Sequence, residues 1–231
     1  MRRYRHLFFD LDHTLWDFRT NSRAVLSALY IELGLQERGV GSSEELISAY
    51  EEINEGLWQR YERGHIRKDV MRVLRFRNTL LTFGVKDSAL SERMGDLYLE
   101  RTPQMQGLFP GALELLESLR PHYGLHIITN GFEATQTTKL SSSGITHLFD
   151  HVICSETVGV SKPDPRIFQQ AMKRAKTTAE ESLMIGDNAR ADMAGARNVG
   201  MDHAHFAPEG GADPEATYRL LGLEELRLLL L

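Results

Sequence analysis

The sequence predicts an α/β protein in which a doubly wound parallel sheet carries an inserted helical segment between its first and second strands. Three observations support this fold class. Leu7, Phe8 and Phe9 form an apolar run without polar alternation, which is typical of a strand buried on both faces. Within 17–107, apolar residues recur at helical spacing. From 108 onward, predicted strands and helices alternate, which indicates βαβ units.

Two domains follow from this alternation. Residues 1–16 and 108–231 are predicted to form a Rossmann-like α/β core, and residues 17–107 a helical cap of about four helices beside the active end of the sheet. The elements predicted after the cap are helix 112–119, strand 125–129, helix 133–142, strand 151–155, helix 165–175, strand 182–186, helix 192–199, strand 203–206 and a terminal helix from Leu220.

Composition limits the function classes. The chain has 231 residues and a formal net charge of -5, which argues against a stable nucleic-acid partner because such proteins need a basic surface. A single cysteine, Cys154, excludes an intrachain disulfide and fits a reducing compartment. The basic N-terminus lacks the apolar run of a signal peptide, and no segment is long enough to span a membrane. We therefore expect a cytoplasmic protein without a membrane partner.

The first predicted strand ends in two carboxylates, Asp10 and Asp12. Ligands of open α/β sheets bind outside the carboxyl ends of the strands, so this position favours chemistry. Two carboxylates so close favour a bound cation or unequal protonation, and an ionised Asp beside a hard cation is a competent nucleophile toward phosphorus. The alternative is a strand end in which Asp12 and Thr14 merely cap the next turn.

Polar residues also follow the second and third strands of this core. Thr129, Asn130 and Gly131 offer a hydroxyl and backbone N–H groups at a helix start, an arrangement that binds anions, although for this motif taken alone an ordinary turn capped by Thr129 or Asn130 is the better explanation. Lys162 lies in a loop stiffened by prolines, which makes it a candidate fixed cation, although this residue taken singly is better explained as a solvated surface lysine.

Asp187 and Asp192 follow the fourth strand, where acids at a helix start would also be explained by capping. In a doubly wound sheet, however, all of these strand ends meet at one edge. The residues predicted to converge there are Asp10, Asp12, Thr129, Lys162, Asp187 and Asp192.

The ordered motifs resemble those of the haloacid dehalogenase superfamily. They are Asp10-Leu11-Asp12-His13-Thr14, Thr129-Asn130-Gly131, Lys162-Pro163 and Gly186-Asp187-x-x-x-x-Asp192, and the helical insertion resembles the superfamily's cap of the first type. Further segments are similar to the pyrimidine 5′-nucleotidase group, which dephosphorylates nucleoside monophosphates. These segments are Ile127–Phe132, Ser155–Pro163 and Leu57-Trp58-x-x-Tyr61-x-x-Gly64.

The resemblance implies a role for each motif residue. Asp10 would be the nucleophile, and Asp12 the acid that protonates the leaving alcohol and later activates water. Magnesium would be held by the Asp10 carboxylate, the Asp12 carbonyl and Asp187, with Asp192 nearby or acting through water. The phosphoryl oxygens would be stabilised by Thr129, the Asn130 and Gly131 amides and Lys162.

Two positions depart from the superfamily pattern. His13 stands where glycine or another small residue is common, and it either contacts substrate or fills the entrance. Asn188 replaces Thr or Ser after Asp187, a change expected to be tolerated because either kind of side chain bonds to the backbone. Asp12 argues against dehalogenation, since the dehalogenase branch lacks an acid there and uses no metal.

Aromatic residues are the candidates for substrate selectivity. Trp58 and Tyr61 are three residues apart on a predicted cap helix, where they either stack on a base or pack the cap core. Trp16 and Phe18 follow the first motif and either line the cleft or pack against the cap.

The motifs, together with this resemblance, predict a magnesium-dependent phosphomonoesterase that forms an aspartyl-phosphate and acts on a small phosphorylated metabolite; the resemblance implies a nucleoside 5′-monophosphate of pyrimidine type, noncanonical ones included. The alternatives are a sugar-phosphate phosphatase or phosphomutase on the same core, and a non-catalytic binding protein of this fold. The choice between monomer and dimer stays open.

Overall fold

The protein is described here by a computed structural model that covers residues 3–231; the first two residues of the predicted core range 1–16 lie outside the described part. Within it, six strands form one parallel sheet in the order β3-β2-β1-β4-β5-β6, which confirms the predicted α/β fold class. The strands are β1 His6–Phe9, β2 Gly124–Thr129, β3 His151–Cys154, β4 Ser182–Gly186, β5 Asp202–Phe206 and β6 Tyr218–Leu220.

Helices lie between the successive strands up to β5, and a loop over 207–217 leads from β5 to β6. They are α1 Phe18–Glu32, α2 Ser43–Glu62, α3 Lys68–Thr82, α4 Ser88–Arg101, α5 Ala112–Leu119, α6 Glu133–Ser142, α7 Ser155–Val158, α8 Pro165–Ala175, α9 Ala194–Arg197 and α10 Leu223–Leu230. A π-helical turn, Ala189–Met193, precedes α9. None of the helices within residues 3–231 is long and apolar enough to cross a lipid bilayer.

The central strand β1 positions the candidate site. Its residues Leu7, Phe8 and Phe9 are fully buried, as the unbroken apolar run predicts. Phe9 pairs with Ile127 of β2 on one side and with Ile185 of β4 on the other. The residues that follow β1, β2 and β4 therefore emerge side by side at the carboxyl edge of the sheet, where the strand order reverses.

The chain forms two compact units. One contains the residues up to Phe18 together with Gln106–Leu231, and the other is the helical segment Arg19–Met105. The helical unit has its own apolar core, to which all four of its helices contribute residues such as Leu26, Leu46, Phe76 and Met94. Its role as a cap stays a prediction.

Several boundaries differ from the predicted ones; β2 and β5, for example, each begin one residue earlier, at Gly124 and Asp202. The terminal helix begins at Leu223 rather than Leu220, because Tyr218–Leu220 pairs with β5 as a sixth strand. The helix predicted over 192–199 is a π-helical turn followed by the short α9. The third strand ends at Cys154, since Ser155 starts α7.

Candidate active site

Three carboxylates meet at the ends of β1 and β4. The amide of Asp10 donates to the Ile185 carbonyl at 2.8 Å, which extends the pairing of the two strands by one residue. Asp187 follows β4 directly, and Asp192 lies in the π-helical turn. Carboxylate oxygens of Asp10, Asp187 and Asp192 lie within 4.8 Å of one another. Adjacent strands thus bring together acids that are more than 170 residues apart in sequence.

A buried lysine joins two of these acids. The Lys162 ammonium donates to Asp10 Oδ1 at 2.5 Å and to the Ile128 carbonyl at 2.8 Å, and it lies 2.6 Å from Asp192 Oδ1. Burial alone would lower the pKa of Lys162, but the charges of Asp10 and Asp192 outweigh it and hold the pKa above its ordinary value. Lys162 is therefore a fixed cation rather than a solvated surface lysine.

Negative charge exceeds positive charge in this cluster. Burial, the first cause, raises the pKa of Asp10 well above its ordinary value; Lys162 opposes this shift, while Asp192 and Asp187 add to it. Burial and the charge of Asp192 raise the pKa of Asp187 to about 7. Three carboxylates share one ammonium, and oxygen donors of this kind are the ligands of hard divalent cations. The residues present therefore fit a metal ion of that class.

The turn after β4 holds Asp192 in place. The backbone N–H of Asn188 donates to Asp192 Oδ2 at 3.1 Å, and the side-chain oxygen of Asn188 accepts from the backbone N–H groups of Arg190 and Ala191. A Cβ atom at Gly186 would collide with the Asp192 carboxylate, so only glycine permits this approach. Asn188 thus bonds to the backbone, as expected for a substitute of Thr or Ser.

The second motif is tied to the Lys162 loop. Asn130 donates its side-chain amide to the Lys162 carbonyl at 3.1 Å and accepts from the Lys162 amide at 2.7 Å. The Gly131 amide donates to Thr129 Oγ1 at 3.0 Å. In the structure the Asn130 side chain therefore fixes the position of the lysine backbone, and the Gly131 amide and the Thr129 hydroxyl bond to each other.

The Asp12 carboxylate is held at both oxygens by residues that the sequence interpretation missed. Lys139 donates to Asp12 Oδ1 at 2.5 Å, and Gln136 donates to Asp12 Oδ2 at 2.9 Å and to Thr129 Oγ1 at 2.8 Å. Burial alone would raise the pKa of Asp12, but the charge of Lys139 and the hydrogen bonds from Lys139 and Gln136 outweigh it and lower the pKa. One signal was available: Gln136, Lys139 and Leu140 have the i, i+3, i+4 spacing of a buried helix face, which places a charge at a core position.

The aromatic residues after the first motif differ in exposure. Trp16 is completely buried, so it does not line an open cleft, and Lys139 Nζ lies 4.4 Å from the centroid of its ring. Phe18 is half-buried, with its ring 5.1 Å from that of His13. His13 is exposed and has a φ of 64°, in the left-handed region that glycine favours.

Trp58 and Tyr61 both lie on α2 of the helical unit. Their rings are 5.6 Å apart at 89°, an edge-to-face pair, and both side chains are half-buried. The selectivity role of the two residues stays a prediction.

The family is decided by comparison with known proteins. Residues 4–200 match the model of the haloacid dehalogenase-like hydrolase family. The chain belongs to this family. The resemblance of the four motifs is thereby confirmed, and the six-stranded sheet carries those motifs at its carboxyl edge.

Relatives extend the match over nearly the whole chain. YfnB of Bacillus subtilis, named as a hydrolase of this family, is 33% identical over 98% of this chain and 95% of its own. Its crystal structure, bound to magnesium, superposes with a TM-score of 0.87 and 30% identity, covering 99% of each chain.

Two further relatives are pyrimidine 5′-nucleotidases. PynA of Streptococcus pneumoniae is 33% identical over 96% of this chain and 93% of its own, and YjjG of Escherichia coli is 31% identical over 97% and 96%. The predicted enzyme class, a phosphoric monoester hydrolase, agrees with these relatives.

Proposed function

We propose that this chain is a magnesium-dependent phosphomonoesterase that works through an aspartyl-phosphate on Asp10 and hydrolyses nucleoside 5′-monophosphates of pyrimidine type. The observation that carries the chemistry is the cluster at the carboxyl edge, where Asp10 lies beside Lys162 and within 4.8 Å of Asp187 and Asp192. The nucleotide substrate is supported by the similarity to PynA and YjjG.

The metal assignment rests on the donor set. The Asp10 and Asp187 carboxylates and the Asp12 carbonyl would hold Mg²⁺, with Asp192 nearby or acting through water. The ion would neutralise the excess negative charge that raises the pKa values of Asp10 and Asp187. It would also favour binding of the anionic phosphoryl group.

Asp10 performs the first step of the proposed reaction. One of its carboxylate oxygens forms a bond to phosphorus while the bond from phosphorus to the leaving oxygen breaks, and Asp12 gives its proton to that oxygen. Lys162 stabilises charge on the phosphoryl oxygens, together with Thr129 and the motif amides. Because the pKa of Asp12 is low in the structure, Asp12 must gain its proton as the substrate binds.

Asp12 reverses its role in the second step. Its carboxylate takes a proton from a water molecule while the water oxygen bonds to phosphorus, and the bond to Asp10 breaks to release inorganic phosphate. A carboxylate held at both oxygens by Gln136 and Lys139 has a defined direction, which suits a group that transfers protons at one place.

Phosphate release tests the proposal. The purified protein is assayed with nucleoside monophosphates, sugar phosphates and p-nitrophenyl phosphate in Mg²⁺, and again after exhaustive metal removal. We expect turnover of pyrimidine nucleotides that stops on chelation and returns with Mg²⁺. Full turnover without metal would refute the metal assignment. Interconversion of a sugar phosphate without phosphate release would show a phosphomutase, and inactivity toward all substrates would indicate a binding protein.

Trp58→Ala tests the nucleotide preference. Stacking contributes roughly 1 to 3 kcal/mol per base, so kcat/KM for a nucleotide should fall about tenfold or more relative to that for p-nitrophenyl phosphate. Trp58→Phe, which keeps an aromatic face, should retain most of the nucleotide activity. Equal losses on both substrates with a lower Tm would show that Trp58 packs the helical core.

A further inference from the structure

A buried histidine joins the carboxyl end of β4 to the loop over 207–217 that follows β5. His205 lies on β5, where it pairs with Gly186 of β4, the residue before Asp187. Only 5% of its surface is exposed. The two nitrogens of a buried imidazole each need a hydrogen-bond partner, so the partners of His205 indicate its role.

Both ring nitrogens of His205 are bonded to backbone atoms. Nε2 lies 2.7 Å from the Asp187 carbonyl oxygen, and the backbone N–H of Asp213 donates to Nδ1 at 2.6 Å. A carbonyl oxygen only accepts, so Nε2 carries the proton and donates it, whereas Nδ1 accepts and carries none. The two bonds therefore define a single tautomer and fix the ring at both nitrogens.

The peptide unit between Asp187 and Asn188 is held at both of its polar atoms. Its carbonyl oxygen accepts from His205 Nε2, and its N–H donates to Asp192 Oδ2 at 3.1 Å. This peptide carries the Asp187 side chain and holds the Asp192 carboxylate, two of the three acids in the cluster. Because a peptide is planar, a rotation of its carbonyl would also turn its N–H away from Asp192. The bond from His205 thus constrains both acids.

The loop anchors the other side of the ring. The Asp213 carboxylate accepts from Arg197 of α9 at 2.6 Å and from the backbone N–H of Glu215 at 2.9 Å. These bonds hold Asp213 where its own N–H meets His205 Nδ1. The hydrogen bond at one ring nitrogen decides which nitrogen carries the proton. The loop therefore keeps the proton on Nε2, which bonds to the Asp187 carbonyl.

Burial on β5 does not by itself produce such bonds. His203, two residues earlier on the same strand, is equally buried. Its Nδ1 lies 3.2 Å from the Met201 carbonyl, and its Nε2 has no hydrogen-bond partner among residues 3–231. An apolar side chain would fill the space of His205 without the free-energy cost of burying two polar nitrogens. The two bonds of His205 therefore point to a role beyond filling space.

We propose that His205 is a positioning residue for the metal site, an inference that rests on the metal assignment of the proposed function. Through the Asp187–Asn188 peptide, His205 holds the Asp187 and Asp192 carboxylates in the arrangement that binds a divalent cation. Removing a hydrogen bond that orients metal-ligating residues typically lowers metal affinity about 10- to 100-fold. The bond from His205 goes to the backbone, so its loss weakens cation binding without removing a carboxylate.

Three substitutions separate the two bonds of His205. His205→Gln places an amide N–H near the position of Nε2 and keeps the bond to the Asp187 carbonyl. His205→Asn places an oxygen near the position of Nδ1 and keeps only the bond from Asp213. His205→Phe keeps neither bond. The matched control is His203→Phe, which removes an equally buried histidine whose ring lies against the Met201 carbonyl.

Isothermal titration calorimetry with Mg²⁺ alone measures the affinity of each purified protein without turnover. We expect the Kd for Mg²⁺ to rise about 10- to 100-fold in His205→Phe and His205→Asn, and to stay near the wild-type value in His205→Gln and His203→Phe. With p-nitrophenyl phosphate, the Mg²⁺ concentration for half-maximal activity should rise by the same factor, whereas kcat at saturating Mg²⁺ should approach that of the wild type. The substitutions also change packing, so the Mg²⁺ affinity is decisive and the Tm is not.

Each outcome supports or overturns the positioning role. Equal Mg²⁺ affinity in the wild type and His205→Phe would overturn it and leave the metal site intact. A loss in His205→Gln as large as in His205→Phe would overturn it as well, because the bond to Asp187 would then not be the cause. Equal losses in His205→Phe and His203→Phe would show that both histidines only support the fold. A wild type that binds no Mg²⁺ would refute the metal assignment of the proposed function, and the positioning role with it.

Discussion

Replacing Lys139 with Met tests whether the direction of the Asp12 carboxylate matters for proton transfer. The lysine is 4% exposed in its side chain and donates to Asp12 Oδ1 at 2.5 Å, while Gln136 holds Oδ2 at 2.9 Å. Met retains an unbranched side chain of similar length but removes the ammonium, and with it the charge and the contact of Nζ with the Trp16 ring. Asp12 then has one hydrogen bond instead of two and can rotate about the bond that remains.

The expected magnitude follows from the bond that is lost. A hydrogen bond to a charged group contributes about 1.5 to 3 kcal/mol, which corresponds to roughly 10- to 150-fold in rate. General acid catalysis itself contributes about 100- to 10,000-fold, which sets the upper limit for any effect exerted through Asp12. Because the Gln136 bond remains, the loss should stay near the lower part of this range.

Leaving-group dependence separates proton transfer from general damage. We expect Lys139→Met to lower kcat/KM for an alkyl phosphate, whose leaving oxygen needs a proton, about 10- to 30-fold more than for p-nitrophenyl phosphate. Lys139→Arg should restore much of the activity, since it keeps the charge. Lys173→Met, at an exposed position on α8, is the matched control and should behave as the wild type.

Stability provides the check on this reasoning. The variant leaves a partly buried carboxylate without its cation, so Tm should fall by about 2 to 4 °C for each kcal/mol lost. If the alkyl and p-nitrophenyl esters lose activity equally, Lys139 supports only the fold. If neither ester loses activity, the hydrogen bond does not direct Asp12, and its proposed role fails.

Three further outcomes are expected. Asp10→Asn should be inactive and should never carry a phosphoryl group, whereas Asp12→Asn should accumulate a phosphoenzyme from p-nitrophenyl phosphate. Mass spectrometry of quenched samples distinguishes the two variants. A phosphorylated Asp10→Asn protein would contradict the assignment of Asp10 as the nucleophile. Burial raises the pKa of Asp187 from 3.8 to about 7, so the metal-free protein should lose stability as the pH rises through this interval. The Tm increase caused by Mg²⁺ should therefore be larger at pH 8 than at pH 5. A Tm increase that does not depend on pH would refute this expectation. Burial, with the neighbouring His6, lowers the pKa of His126 from 6.5 to about 4, so the stability that the protein has above pH 6.5 should be lost as the pH falls toward 4. His126→Leu should flatten this part of the plot of Tm against pH. A plot as steep as that of the wild type would assign the loss of stability to other groups.

The local hydrophobic pattern of the sequence determined much of the fold of this protein. The unbroken apolar run of Leu7, Phe8 and Phe9 predicts a central buried strand, because a strand covered on both faces needs no polar alternation. Alternating strands and helices after residue 108 predict a parallel sheet, and in such a sheet the strand ends meet at one edge. That topology is why Asp10, Lys162, Asp187 and Asp192 could be placed together without coordinates.

The tertiary structure decided what depends on contacts between distant side chains. Sequence periodicity does not identify the acid that pairs with a given lysine, so the contacts of Lys139 and Gln136 with Asp12 became visible only when α6 was placed against the first motif. The sixth strand was missed because Tyr218–Leu220 is too short to show a pattern and exists through its pairing with β5. Arg75 reads as one arginine among several on α3, and only three-dimensional packing shows that its charge is buried among neutral partners. Hydrophobic pattern specifies which segments are buried, whereas burial and charge pairing at a single atom depend on the residues that the fold brings into contact with it.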